Sequence, residues 1–310
     1  MTKVDKGLGL HPRNIHKHGY PLEQLVATYP ILKPHIVSKP DNSKTINFAD
    51  ANAVKALNAA LLAHYYQVPL WDIPTGYLCP PIPGRVDYVH HIADLLTLDN
   101  QGQLPKGKQV KGIDIGTGAN LVYPILASRS YGWSMLGTDI DPRSVQSAQQ
   151  IIDGNASLRG HIKLRLQQNS ADIFSGIIAP TEKFDFSMCN PPFHRSAADA
   201  QAGSQRKTRN LARHAQKRRS TLINKNNNGL NFAGQSNELW CSGGELAFIQ
   251  RMITQSVEYS QQVRWFTSLV ANKKHIAPLS QSLKYVNVAE SKIVDMAQGQ
   301  KVSRFIAWRF

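Results

Sequence analysis

Few folds accommodate the stretch from Gln109 to Asn120. Its first half, Gln109-Val110-Lys111-Gly112-Ile113-Asp114-Ile115, reads as a strand that runs into Gly116-Thr117-Gly118. A helix is expected directly behind it, from Leu121 to Ser130. Glycines let the backbone approach a ligand closely, and the first turn of a helix carries free N–H groups. The dinucleotide fingerprint is excluded, because its third glycine would fall on Leu121. A P-loop is excluded too, since no Gly-Lys-Ser/Thr follows. The next expected strand, Trp133 to Thr138, ends at Asp139. An acid at the end of a second strand, about 20 residues past the glycines, is placed to hold ribose hydroxyls. Asp141-Pro142 then begins a helix to about Asp153.

A third strand is expected over His161 to Leu166, and a fourth over Phe184 to Cys189. The fourth stops at Asn190-Pro191-Pro192-Phe193, because two prolines cannot continue a sheet ladder. The alternation of strands and helices predicts a doubly wound α/β sheet, whose ligands bind at the carboxyl ends of the strands. The turn at Asn190 suits a planar amine. The Asn190 amide oxygen and the Pro191 carbonyl can each accept one N–H, and Phe193 can stack on the ring. Farther on, a helix is expected over Glu245 to Tyr259, then strands over Gln262 to Val270, Tyr285 to Ala289 and Arg304 to Phe310. The short gap before the last strand predicts a hairpin and an antiparallel final strand.

Ahead of the sheet, residues 1–83 divide into a basic arm and a helical cap. The arm, Leu10-His11-Pro12-Arg13-Asn14-Ile15-His16-Lys17-His18, has no hydrophobic period. It reads as a solvated tail or as a phosphate-gripping segment, with Arg13 and Lys17 as the contacts. Short helices broken by Pro30 and Pro34 precede a stronger one from Asp50 to Gln67, with Asp50 as its N-cap. Four prolines between Trp71 and Gly84 make a stiff connector that delivers Arg85 to the start of a helix, Val86 to Leu98. An arginine so placed can pair bidentately with a carboxylate, or form a surface salt bridge.

Charge narrows the function. The net charge of +15 and pI near 9.8 point to a polyanionic partner, nucleic acid or an anionic surface. Between Arg195 and Lys225 stand nine Lys/Arg, among them Arg206, Lys207 and Arg209, against the single acid Asp199. That run, within an insertion of about 195–237, reads as a mobile basic loop beside the proposed catalytic turn. No apolar stretch reaches membrane length, and the first residues lack a signal-peptide core, so a cytoplasmic protein is expected. Cys79, Cys189 and Cys241 form neither a disulfide framework nor zinc spacing, and the arm histidines have no partner at ligand spacing, so no metal is expected.

Asp114-Ile115-Gly116-Thr117-Gly118-Ala119-Asn120 together with Asn190-Pro191-Pro192-Phe193 resembles the S-adenosylmethionine (SAM)-dependent amino methyltransferases. Leu10-His11-Pro12-Arg13-Asn14, Pro81-Ile82-Pro83-Gly84-Arg85 and Met296-Ala297-Gln298-Gly299-Gln300 resemble, more narrowly, the bacterial enzymes that methylate one adenosine of large-subunit (23S) ribosomal RNA. Related eukaryotic methyltransferase-like proteins act on a small nuclear RNA. The resemblance spans nearly the whole chain. It implies a Rossmann-like class I fold with a seven-stranded mixed sheet over residues 84–310 and a small N-terminal helical extension. It implies SAM as cofactor, with Arg85 on its methionine carboxylate, Asp114, Gly116, Gly118 and Asn120 along it, Asp139 on the ribose and Asn169 near the adenine. Asn190 would meet both cofactor and target amine. Ribosomal RNA is the implied partner, and a monomer is favoured. Two other readings stay open: a protein glutamine methyltransferase, whose amide poses the same problem, and an RNA-binding protein without catalysis.

Overall fold

The computed structural model describes residues 9–192, 241–298 and 301–310. Its core is a seven-stranded mixed sheet. In chain order the elements are helix α1 (Leu22–Thr28), a small hairpin β1 (Ile36–Ser38) and β2 (Lys44–Ile46), helices α2 (Ala51–Tyr66) and α3 (Ile82–Asp99), then β3 (Lys111–Ile115), α4 (Val122–Tyr131), β4 (Ser134–Asp139), α5 (Pro142–Gly154), β5 (Ile162–Leu166) and β6 (Phe184–Cys189). They continue with α6 (Gly244–Ser256), β7 (Val263–Leu269), α7 (Ile276–Tyr285), β8 (Glu290–Gln298) and β9 (Lys301–Arg309). The sheet order is β5-β4-β3-β6-β7-β9-β8. The first five of these strands run parallel, while β9 is antiparallel to both neighbours.

Two apolar layers cover the sheet. One packs α2, α3, α4 and α5 with Phe186, Met188, Trp265, Phe305 and Ala307. The other packs α6 and α7 with Ile113, Ile115, Phe266, Ile306 and Trp308. Trp265/Phe266 and Phe305/Ile306 show the two-residue alternation that sends neighbours to opposite faces. The N-terminal helices share the first layer without a break: Leu25, Leu32 and Leu61 are fully buried in it. Close packing explains Gly112, where a Cβ would meet the Phe186 ring at 2.3 Å.

The register positions the site. Ile115 pairs with Thr138 on one side and with Cys189 on the other. Gly116, Asp139 and Asn190 therefore leave the sheet side by side at one edge. Gly116 has φ +75°, in the left-handed region that glycine tolerates.

Three sequence expectations change. The strand expected over Tyr285 to Ala289 is the end of α7 and a turn; β8 begins at Glu290. Leu279 and Leu283 recur at helical spacing and are buried, and Asn287 at φ +54° breaks the chain direction. The last strand starts earlier, at Lys301, as the return of a hairpin with β8. Finally, α3 starts at Ile82 with Pro83 in its first turn, so Arg85 lies inside the helix rather than ahead of it. Among the described residues no helix is long and apolar enough to cross a membrane.

Candidate functional site

A pocket opens where β3, β4 and β6 end. Its walls include Arg85, Gly116, Gly118, Asn120, Asp139, Asn190 and Pro192, which the sequence singled out from four separate segments. Asp139 accepts the Gly118 N–H on Oδ2 and the Asp141 N–H on Oδ1, both at 2.9 Å. Burial nevertheless holds its carboxyl above the usual range. Each oxygen keeps a lone pair, which suits two adjacent hydroxyls. Asn120, one residue before the α4 N-cap Leu121, accepts the Val122 N–H on its side chain at 3.0 Å, and its backbone carbonyl accepts the Trp71 indole N–H at 2.8 Å.

Arg85 enters from the first turn of α3. One of its NH groups donates to the Tyr123 hydroxyl at 2.8 Å, and its guanidinium lies 5.6 Å from the centre of the Tyr123 ring. Its Nε is sealed from solvent and has no partner. Asn190 Oδ1 is likewise sealed and unpartnered. Asp114 stands behind the wall rather than in it, fully buried on β3, and neither carboxylate oxygen has a hydrogen bond. Burial pushes its carboxyl up to about 7, against the pull of the Thr117 hydroxyl and the Arg85 charge. Orphaned buried polar atoms are costly, so they mark where a ligand completes the structure. A cation facing the pocket, an acid behind it, a ribose-type acceptor and apolar walls together fit the zwitterionic nucleoside that the resemblance implies.

The structure separates other expectations from this pocket. Asn169 is exposed and outside the wall; its side chain turns to Ala171 N and to Asp172 Oδ2. Its neighbours Gln167, Asp172 and Ile173 line the pocket instead. Pro191 is buried beside the wall without forming part of it. Phe193, Arg206, Lys207, Arg209 and the insertion at 195–237 lie outside the described residues. Sequence reasoning also missed Leu78 and Pro80, Tyr123, Cys241 and Phe248. The Pro-rich connector hinted at the first two, while Phe248 carried only a helical period.

The basic arm is docked. Asn14, with no exposure, donates to the Pro83 carbonyl at 2.9 Å and to Asp87 Oδ1 at 2.5 Å, two residues either side of Arg85. Asp87 Oδ1 also accepts the His11 N–H at 3.1 Å. Arg13 donates to Asp94 at 2.6 Å, to the His90 carbonyl at 2.8 Å and to the Tyr131 hydroxyl at 3.0 Å. Lys17 stays exposed, with its ammonium on the Pro12 carbonyl. His11, His91 and Asp94 bring possible ligand atoms within 4.8 Å of one another. His11 Nδ1, however, accepts the Arg13 N–H, which leaves Nε2 protonated as a donor to Asp94. Arg13 occupies the second Asp94 oxygen, so hydrogen bonds already use this cluster.

The chain matches the RNA methyltransferase family over residues 4–310. It is similar to ribosomal RNA large subunit methyltransferase F of Psychromonas ingrahamii, 54% identical over 301 residues, which cover 97% of this chain and 94% of that protein. The enzyme of the same name from Pseudoalteromonas atlantica is 52% identical over 303 residues, covering 97% and 92%. Among solved structures it is similar to the human METTL16 catalytic domain in complex with MAT2A 3'UTR hairpin 1, with TM-score 0.76 and 29% identity, covering 97% of this chain and 96% of that one. The N-terminal domain of human METTL16 in complex with SAH gives TM-score 0.73 and 26% identity, covering 97% and 99%.

Proposed function

The chain belongs to the RNA methyltransferase family, and from that premise we propose that it methylates the exocyclic amine of one adenosine in large-subunit ribosomal RNA. It is SAM-dependent, and the bound cofactor supplies an electrophilic sulfonium methyl. The observation that carries the reading is Asn190 Oδ1: a buried, unpartnered acceptor in the same pocket as Arg85 and Asp139.

An exocyclic adenine amine is a poor nucleophile, because its lone pair is delocalised into the ring. Two acceptors, Asn190 Oδ1 and the Pro191 carbonyl, hold its two N–H bonds. That grip favours a pyramidal nitrogen with its lone pair aimed at the methyl carbon, so positioning supplies most of the rate. No strong base is needed, and the amine proton leaves after transfer. Arg85 holds the cofactor carboxylate, Asp139 its ribose, and Gly116 and Gly118 let it lie against the backbone. Gln167, Asp172 and Ile173, rather than Asn169, flank the adenine end. Phe193 stacks on a target base that has to be unpaired or flipped out. Lys17 and the basic run from Arg195 to Lys225 contribute the phosphate contacts that a flipped base requires, while Arg13, held by Asp94, the His90 carbonyl and the Tyr131 hydroxyl, fixes the arm instead.

Transfer of radiolabel from SAM tests the assignment. Label in ribosomal RNA supports it, label in protein would mean a glutamine-type substrate, and label in neither would mean RNA binding without catalysis. Asn190→Ala is expected to reduce transfer by at least a hundredfold while RNA affinity stays within about twofold, since preorganised acceptors contribute to the transition state rather than to phosphate binding. Near-normal turnover in that variant removes the amine grip.

A further inference from the structure

Arg251 is a cation that the site described so far does not use. It stands on α6, in the row Phe248–Arg251–Gln255 that successive turns place on one side of the helix. Both ends of that row touch the pocket's surroundings. The Phe248 ring lines the pocket, and the Arg251 guanidinium stacks on it with its carbon 5.5 Å from the ring centre. The Gln255 side chain donates to the Ala171 carbonyl at 2.8 Å and accepts the Ile173 N–H at 2.8 Å, gripping the loop that contributes Asp172 and Ile173 to the wall. Arg251 therefore sits at the seam between α6 and that loop, and its charge reaches the Cys241 thiol, another wall residue.

Among the described residues no carboxylate pairs with Arg251, and its Nε is buried without a hydrogen bond. Two arginines elsewhere show the usual pairing: the buried Arg304 meets Asp295, and the half-buried Arg165 meets Glu182 through two nitrogens. A guanidinium with a sealed nitrogen and no anion is a fork awaiting an acceptor, and its geometry matches carboxylate or phosphate oxygens. The cofactor carries one carboxylate, and Arg85 is already placed for it. The anion left over belongs to the other substrate.

We propose that Arg251 is a binding site for a backbone phosphate of the RNA strand, next to the nucleotide whose base enters the pocket. This rests on the assignment of RNA as substrate. Stacking on Phe248 pre-orients the fork, so little side-chain freedom is lost when phosphate arrives. The bond made there registers the strand relative to Asn190 without reading sequence.

The test is RNA binding by the full-length protein across a salt series, with an adenosine-containing fragment of large-subunit ribosomal RNA as probe. Arg251→Met keeps the apolar stem on Phe248 and removes the charge; Arg251→Lys keeps the charge and removes the fork. For Arg251→Met, affinity is expected to fall about tenfold and the slope of log K against log salt to flatten by about 0.7, the value for one single-strand phosphate. Arg251→Lys should recover the slope and part of the affinity, and SAM affinity should stay unchanged in both. A wild-type slope in Arg251→Met overturns the site, as does a lowered melting temperature with an unchanged slope, because the guanidinium then pairs within the chain. Wild-type protein that binds no RNA overturns the substrate assignment and this site with it.

Discussion

At the scale of single residues, Asp114 is the most informative group. Its carboxyl is fully buried, and it is held near neutrality because burial outweighs the pull of the Thr117 hydroxyl and the Arg85 charge. Its folded-state value of about 7 lies above the unfolded value near 3.9. Its contribution to stability is therefore full below about pH 4 and is lost as pH rises through 7. Asp114→Asn should melt higher than wild type without cofactor, by a margin that is larger at pH 8 than at pH 5. A cationic ligand group nearby reverses the preference, since it favours the carboxylate. SAM affinity of the wild type should then rise between pH 6 and 8 with proton release, and Asp114→Asn should bind more weakly and without that slope. Calorimetry in two buffers of different ionisation enthalpy measures both. An affinity independent of pH in the wild type would show that Asp114 keeps its proton in the complex.

At the scale of elements, the strand ends were legible because glycine and proline punctuate them. The Gly116 turn and the stop after Cys189 each follow from a backbone restriction that one residue type imposes, and Pro142 opens the helix that follows Asp139. What stayed hidden depends on partners distant in sequence. The run Tyr285-Val286-Asn287-Val288 has strand composition, yet Ile276, Leu279 and Leu283 give the preceding residues a helical apolar stripe that packs on α6. The arm at residues 10–18 has no apolar period because it is held by hydrogen bonds, and periodicity is blind to those. Asn14 reaches across 69 and 73 residues to Pro83 and Asp87, and that clasp fixes the helical turn that carries Arg85. Asn14→Ala leaves Asp87 with one donor fewer in a buried place, a loss of about 1–3 kcal/mol. The expected result is a SAM affinity about tenfold weaker in a chain that still folds by circular dichroism, because Arg85 loses its fixed approach. If the affinity is unchanged while melting falls, the clasp stabilises α3 without tuning the pocket.

For the whole molecule, the same docking makes stability depend on pH. Three histidines are folded into the seam between arm, cap helices and sheet layer. Burial lowers His16 to about 4, where its ring meets the Tyr66 hydroxyl at 2.9 Å. Burial, then the neighbouring His11 and Arg13, lowers His90 to about 3, and burial with His11 lowers His91 to about 4. All three values lie below the unfolded value near 6.5. The unfolded chain therefore binds more protons between about pH 6.5 and 4, so these groups contribute full stability above pH 6.5 and lose it as pH falls through that window. Asp114 works the other way over part of the same range, but three imidazoles outweigh one carboxyl. Acid also adds charge to a chain already at +15, and self-repulsion acts in the same direction. Urea denaturation at pH 7.5, 6, 5 and 4.5 should show a midpoint that falls steadily below pH 6.5. His16→Gln should flatten part of that fall, because a neutral amide replaces a ring that has to stay unprotonated. A midpoint constant from pH 7.5 to 5 would mean that the arm undocks and opens His16, His90 and His91 to solvent without unfolding the sheet, and the arm would then be a separable segment rather than a fixed part of the fold.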